Sequence, residues 1–425
     1  MRAPRNDPAF GRDAITPSVG ALYSANTPSA FWRFLEEPAM AEWAAAIEHA
    51  ARYLPMAARA AGDDAEAIAV MTLGEGQFGP RHWDISASLR AYYALKPMLP
   101  RSSTRVLRRL RSGERHSTLG WPIEERYVRF QSEVARQMMR LRGTTSLPFI
   151  HFWPKGQAYA FVLTHDVETA AGHDRVLWLA ELDAKYGFRS SFNFVPERYE
   201  VDRGLLDELR ARGFEVGVHG LRHDGKLFSS FSEFMRRAQQ INRYLEEFGA
   251  VGFRAPLTHR NPVWMQALEI DYDLSFFDTD PHEPIPGGTM SLWPFMIGRF
   301  VELPYTLVQD YTLTGILKET TPRIWLEKVA FIREHCGMAL LNAHPDYLMS
   351  RASSKVYEAF LVAMRDRADF WHALPRDVAQ WWRARAEVSS AERLEGASPG
   401  IVEFAGINQS HDEVVKVGGR PVVAS

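Results

Sequence analysis

The chain has 425 residues, 46% of them hydrophobic and 24% charged, with a formal net charge of −2. It is too long for one ordinary core, has the balance of a globular protein, and lacks the positive excess that a nucleic-acid partner calls for. A single cysteine, Cys336, excludes an intramolecular disulfide framework and a cysteine-rich zinc site; in EHCGMALL it reads as a small buried residue.

The first residues, MRAPRNDPAFGRDAITPS, carry basic groups with no apolar stretch behind them. No run of about 18 apolar residues follows anywhere. Neither a secretory signal nor a membrane span is expected, and the cytoplasm is the default location. Residues 1–28 read as irregular. Helical patterns follow at 29–60, in ASLRAYYALKPMLP, and at 123–142, where Tyr127, Phe130, Val134, Met138 and Leu141 recur every three or four positions. Residues 29–146 therefore form an expected helical accessory module. It includes a basic stretch from Arg101 to Arg115, which reads either as a solvated helix face or as a peripheral contact with anionic lipid.

From Leu147 strands and helices alternate. The strand patterns are YAFVLT (159–164), SSFNFVP, FEVGVHG, VGFRAP, YDLSFF, VELPYTL and MALLNAH, with helices between most of them. The longest of those helices puts Phe231, Phe234, Ala238, Ile241, Leu245 and Phe248 on one face. Repeated βα units imply a parallel sheet, and seven strands favour a closed or nearly closed (β/α) barrel over 147–350. Helices are expected over 351–395, with a tail at 396–425 in which VEFAG and VVKVGG suggest short strands.

Barrels of this kind bind ligands at the C-terminal ends of their strands. Polar residues cluster there: Asp166 and Glu168 after the first strand, His219 after the third, Arg254 after the fourth and His344 after the last. His219 and His223, four apart in HGLRHD, can converge on one divalent ion; the spacing alone is weak evidence, and placement at a strand end strengthens it. Of the two carboxylates in HDVE, one can ligate an ion while the other takes a proton, although loop acids are more often merely solvated. Arg254 can hold a carboxylate by a two-pronged pair. His344 can act as a general acid toward a leaving amine, or can be a structural histidine. Asp224 can orient His223.

These pieces resemble the polysaccharide deacetylases, the NodB-like carbohydrate esterases. Their TFDDG motif is similar to THDVE here, H-[ST]-x-x-H to HGLRH, R-x-P to Arg254-Ala255-Pro256, and the strand-final histidine to LLNAHP. The resemblance spans roughly 155–350 and implies a distorted seven-stranded (β/α) barrel, an α/β fold. It implies a hydrolase of non-peptide carbon–nitrogen bonds that removes an acetyl group from an N- or O-acetylated sugar, glycan or lipid-linked saccharide. His219, His223 and Glu168 would hold a divalent metal, Zn²⁺ foremost. Asp166 would be the base, Arg254 its support and His344 the acid, with the Leu257 N–H helping to stabilise the oxyanion and Asp273 or Asp278 tuning His344. Trp293 and Tyr305 are the expected sugar contacts. Two departures stand out: Glu168 is longer than the usual second Asp, and Gly220 replaces a Ser or Thr. The alternatives are hydrolysis of a cyclic amide or ureide on the same barrel, and a catalytically silent carbohydrate-binding protein.

Overall fold

The computed structural model describes residues 18–85, 118–388, 394–407 and 413–418. The helix expected in ASLRAYYALKPMLP and the basic stretch from Arg101 to Arg115 lie outside the described residues.

In chain order the strands are β1 (Ser146–Ile150), β2 (Tyr159–Val167), β3 (Ser191–Phe194), β4 (Glu215–Val218), β5 (Gly252–Phe253), β6 (Tyr272–Asp273), β7 (Phe295–Ile297), β8 (Phe300–Glu302), β9 (Met338–Ala343), β10 (Phe370–His372), β11 (Pro399–Ile407) and β12 (Glu413–Gly418). All nine residues of β2 are buried, which is why its apolar run shows no alternation: both faces are covered. One edge of β2 pairs in parallel with β9 from Ala160 to His165. The other pairs with β10 at its start and with β3 from Thr164 to Val167. Parallel pairing continues through β4, β5, β6 and β8, with β7 antiparallel at the end. Beyond β8, single parallel bridges join Tyr305 to Phe277 and Leu307 to Leu341, so the continuation of β8 lies beside β9. The result is a curled, mainly parallel sheet with helices outside it.

The helices follow their apolar faces. In Phe231–Glu247, Phe234, Ala238, Ile241 and Leu245 are buried, and the Ser230 hydroxyl accepts from the Glu233 N–H at 3.2 Å as an N-cap. Phe231, in the first turn, departs from the expected face: it is 53% exposed and meets Trp264 edge-on. In Arg126–Leu141, Tyr127, Phe130, Val134 and Met138 are buried, whereas Leu141 in the last turn is exposed.

The helical pattern at 29–60 is broken into pieces, and the helices expected over 351–395 are two. Over 29–60 the chain forms Pro28–Trp32, Met40–Ala50 and Met56–Arg59, with Arg33 in a left-handed conformation and Pro38 and Pro55 between the pieces. Over 353–390, Arg351–Arg365 and Pro375–Glu387 are separated by β10, which extends the sheet along the start of β2. The tail strands β11 and β12 form a second, antiparallel sheet with β1.

Candidate active site

Thr164 and Asp166 face the same side of β2, as alternation requires. Arg254, directly after β5, reaches both: its Nη1 donates to Thr164 Oγ1 at 3.0 Å and to Asp166 Oδ1 at 3.1 Å, while its Nε is spent on the Leu274 carbonyl at 2.8 Å. Asn193 of β3 donates to Asp166 Oδ1 at 2.9 Å, and Asn342 of β9 donates to Oδ2 at 2.9 Å. Burial works against ionisation of Asp166, but Arg254, His219, His344 and the Asn193 hydrogen bond outweigh it and hold the carboxyl well below the usual range.

His219 follows β4. Its Nδ1 lies 3.1 Å from the Arg254 carbonyl, so an Nδ1–H donor there leaves the Nε2 lone pair facing the site. Burial pushes the imidazole down to about 4 despite nearby Asp166, which keeps it neutral at physiological pH. His223 reaches the same space from a left-handed residue at φ 52. Its Nε2 is 3.0 Å from Glu168 Oε1, yet the angles make no hydrogen bond between them. Glu168 is fixed from behind: Tyr347 donates to Oε2 at 2.9 Å, and the Glu168 N–H donates to Asp346 at 2.9 Å. Burial opposes the charge on Glu168, but His223 prevails and its carboxyl stays well below the ordinary range.

Among the described residues, Glu168, His219 and His223 are the group of possible metal ligands whose donor atoms all lie within 4.8 Å of one another. The donor set fits a divalent ion: two imidazoles and one carboxylate, with the carboxylate held ionised and His219 held neutral, as coordination needs. A carboxylate and an imidazole nitrogen that approach without sharing a proton fit a cation between them. Asp166 stands outside this group, because both its oxygens are taken by Arg254, Asn193 and Asn342.

His344 follows β9. Its Nε2 lies 3.9 Å from Asp166 Oδ2, the distance that also separates His219 Nε2 from that oxygen. The acidic partner of His344 is Asp310, which lies 2.7 Å from Nδ1 and accepts the His344 N–H at 2.9 Å. Burial alone would lower this histidine, but Asp310 raises it to about 9 with help from Glu168 and Asp166.

Asp273 and Asp278 are therefore corrected as partners of His344. Asp273 accepts from Ser275 at 2.7 Å, and Asp278 pairs with Lys328 at 2.6 Å. Asp224 does not orient His223 either: it forms a two-pronged pair with Arg237, at 2.8 and 2.9 Å. Trp293 is 4% exposed, packs on Phe31 and Phe152, and donates to the Cys336 carbonyl at 2.9 Å; Cys336 precedes β9, so this is the far end of the sheet from the site. Tyr305 is 1% exposed and its hydroxyl is spent on Glu283 at 2.8 Å, leaving neither face nor tip for a sugar.

Leu257 lies in a tight turn, Pro256–Thr258, with φ 62. Its N–H donates to no protein group among the described residues. Gly220 has a steric reason: a Cβ there would lie 2.3 Å from Pro256 Cγ, so this loop packs by close approach where a Ser or Thr would clash. Cys336 is buried, and burial pushes its thiol up to about 12.

Asn193, Asn342, Asp310 and Tyr347 are site residues that sequence reasoning missed. Asn193 and Asn342 carried a signal, a polar residue inside an otherwise apolar strand. Asp310 carried another, its place just beyond VELPYTL.

No family model matches the chain, and no curated protein does. Among solved structures it is similar to a presumed polysaccharide deacetylase of Mycobacterium smegmatis (19% identity, TM-score 0.44, 55% of this chain and 93% of that one). It is also similar to a probable polysaccharide deacetylase of Pseudomonas aeruginosa PAO1 (16%, 0.44, 55% and 94%) and to the Puue allantoinase (16%, 0.42, 55% and 93%). At such identities and TM-scores, function has to be read from the site itself.

Proposed function

We propose that the protein is a metal-dependent hydrolase that removes an acetyl group from an N- or O-acetylated sugar or glycan, on a distorted seven-stranded (β/α) barrel. The observation that carries this reading is the convergence of Glu168, His219 and His223 within 4.8 Å, beside an ionised Asp166.

Glu168, His219 and His223 hold the ion, with Zn²⁺ the best match to two imidazoles and a carboxylate. When bound, such an ion supplies a Lewis acid for the acetyl carbonyl and for water. The chain's own groups supply the rest. Asp166 accepts the proton of the attacking water; Arg254, Asn193 and Asn342 fix its carboxylate and keep it ionised until then. His344 carries the proton for the leaving nitrogen or oxygen on Nε2, and Asp310 holds the opposite side of the ring. The Leu257 N–H contributes a donor for the developing oxyanion. Tyr311 and Tyr347, half-buried and 4.9 Å apart between ring centres, lie beside His344 and offer an aromatic face for a sugar.

The test is acetate release from a panel of acetylated amino sugars and oligosaccharides by protein reconstituted with Zn²⁺, Co²⁺ or Ni²⁺. Release that depends on added metal and disappears in Asp166→Asn supports the reading. A metal-loaded protein that releases acetate from none of them overturns it.

A further inference from the structure

We infer that Glu75, from the helical segment that precedes the curled sheet, is a positioning residue for the Pro256–Arg260 loop, so that this segment completes the site; the inference rests on the hydrolase reading above. Arg260 is fully buried and its guanidinium is forked onto Glu75: Nε donates to Oε2 at 2.8 Å and Nη2 to Oε1. Glu75 is buried as well and also accepts from the Trp83 indole at 2.9 Å. The remaining Arg260 nitrogen, Nη1, donates to the Thr258 carbonyl at 2.9 Å. The cation lies 4.9 and 4.7 Å from the ring centres of Phe276 and Phe277, which follow β6. Arg260 thus ties three things together: the helical segment, the end of a central strand, and the loop that carries Leu257.

That loop needs support. Leu257 and Thr258 are consecutive non-glycine residues in the left-handed region, at φ 62 and 52. Such residues persist only where their surroundings over-determine them. Here the loop is held on one side by Pro256 against Gly220 and on another by the Thr258 hydroxyl, which donates to Glu283 at 2.7 Å. The third hold is Arg260 on the Thr258 carbonyl, and Arg260 is fixed by Glu75. A left-handed Leu257 sets where its N–H points, so loss of Glu75 lets the donor swing while the metal ligands, after β2 and after β4, keep their own supports. A buried arginine without its carboxylate is also poorly tolerated and will seek another arrangement.

The variants are Glu75→Gln, which keeps the volume but loses the charge, and Glu75→Asp as the conservative control. In the full-length protein loaded with Zn²⁺, Glu75→Gln is expected to lower kcat about 10–100-fold, the range for a misplaced reacting group. KM and zinc stoichiometry stay at the parent's level, because the metal ligands keep their own supports. Glu75→Asp recovers part of kcat. Amide exchange reads the same claim without turnover: in Glu75→Gln the segment 255–261 exchanges faster while 215–223 does not change. Exchange unchanged in both segments, or kcat within about twofold of the parent, overturns the inference. Zinc content falling in proportion to kcat overturns it too, since that is loss of folded sites. If Glu75→Gln fails to fold, Arg260→Lys is read in its place: it retains a charge pair with Glu75, loses the Nη1 hydrogen bond to the Thr258 carbonyl, and carries the same expectations. A parent protein with zinc bound and no acetate release overturns the hydrolase reading alone, because the exchange result still decides the role of Glu75.

Discussion

Replacing Asp310 by Asn removes the charge that most raises His344 and leaves a side chain of the same shape. Burial lowers His344, Asp310 raises it, and Glu168 and Asp166 add to the rise, for a value of about 9 in the folded chain. Without Asp310 the histidine is expected to fall from about 9 toward its ordinary value of ~6.5, a drop of about 2.5, or about 3 kcal/mol. At pH 8 a group titrating at about 9 is about 90% protonated, and one at ~6.5 only about 3%. In its proposed role of general acid His344 must carry its proton, so kcat/KM of Asp310→Asn is expected to fall roughly 30-fold at pH 8 and far less below pH 6. The assay is kcat/KM from pH 5.5 to 9.5 for both proteins at equal, saturating metal. A basic limb in the variant at the same pH as in the parent refutes the argument. Stability gives the same sign. A folded pKa above the unfolded value stabilises the protein fully below ~6.5 and progressively less as pH rises through about 9. The stability gap between parent and variant is therefore largest at low pH and closes on the alkaline side.

Other outcomes follow from single contacts. Glu168→Asp withdraws the carboxylate by ~1.5 Å, one C–C bond, from His223 and Tyr347; zinc affinity measured by competition with a chelating dye falls about 10–100-fold, the range for a disturbed ligand shell. Tyr347→Phe leaves Glu168 in place without its 2.9 Å hydrogen bond and costs about 10-fold by the same measurement. Asp166→Asn keeps the metal, because Asp166 is not among the converging ligands, and lowers kcat about 10²–10⁴-fold. Gly220→Ser forces a Cβ to within 2.3 Å of Pro256 Cγ at φ +64, and a loss of about 1–3 kcal/mol is expected in chemical denaturation.

What could be read in advance was local. β2 and β9 appeared as apolar runs, and the rule that chemistry sits just after strands found Asp166, Glu168, His219, Arg254 and His344, which the fold brings together. What could not be read depends on contacts between distant segments. YDLSFFDTD offers several acids, but His344 takes Asp310 because the continuation of β8 runs beside β9, joined by the Leu307–Leu341 bridge. The Gly-rich approach to Trp293 suggests an exposed loop, yet the chain turns back and buries the indole at the opposite end of the sheet. Glu75 has no local signature, since its meaning comes entirely from Arg260, 185 residues away. Glu168 is longer than the Asp that the motif resemblance implies. Tyr347 gives the longer side chain a partner that holds its carboxylate toward His223.

The most direct test of the proposed metal centre is elemental analysis of the purified protein beside His219→Ala and His223→Ala, with folding checked by circular dichroism. One divalent ion per chain is expected in the parent, as for a single three-ligand site, and a large loss in both variants. Equal metal content in all three, or a well-folded parent that retains no ion after incubation with zinc, would contradict the account.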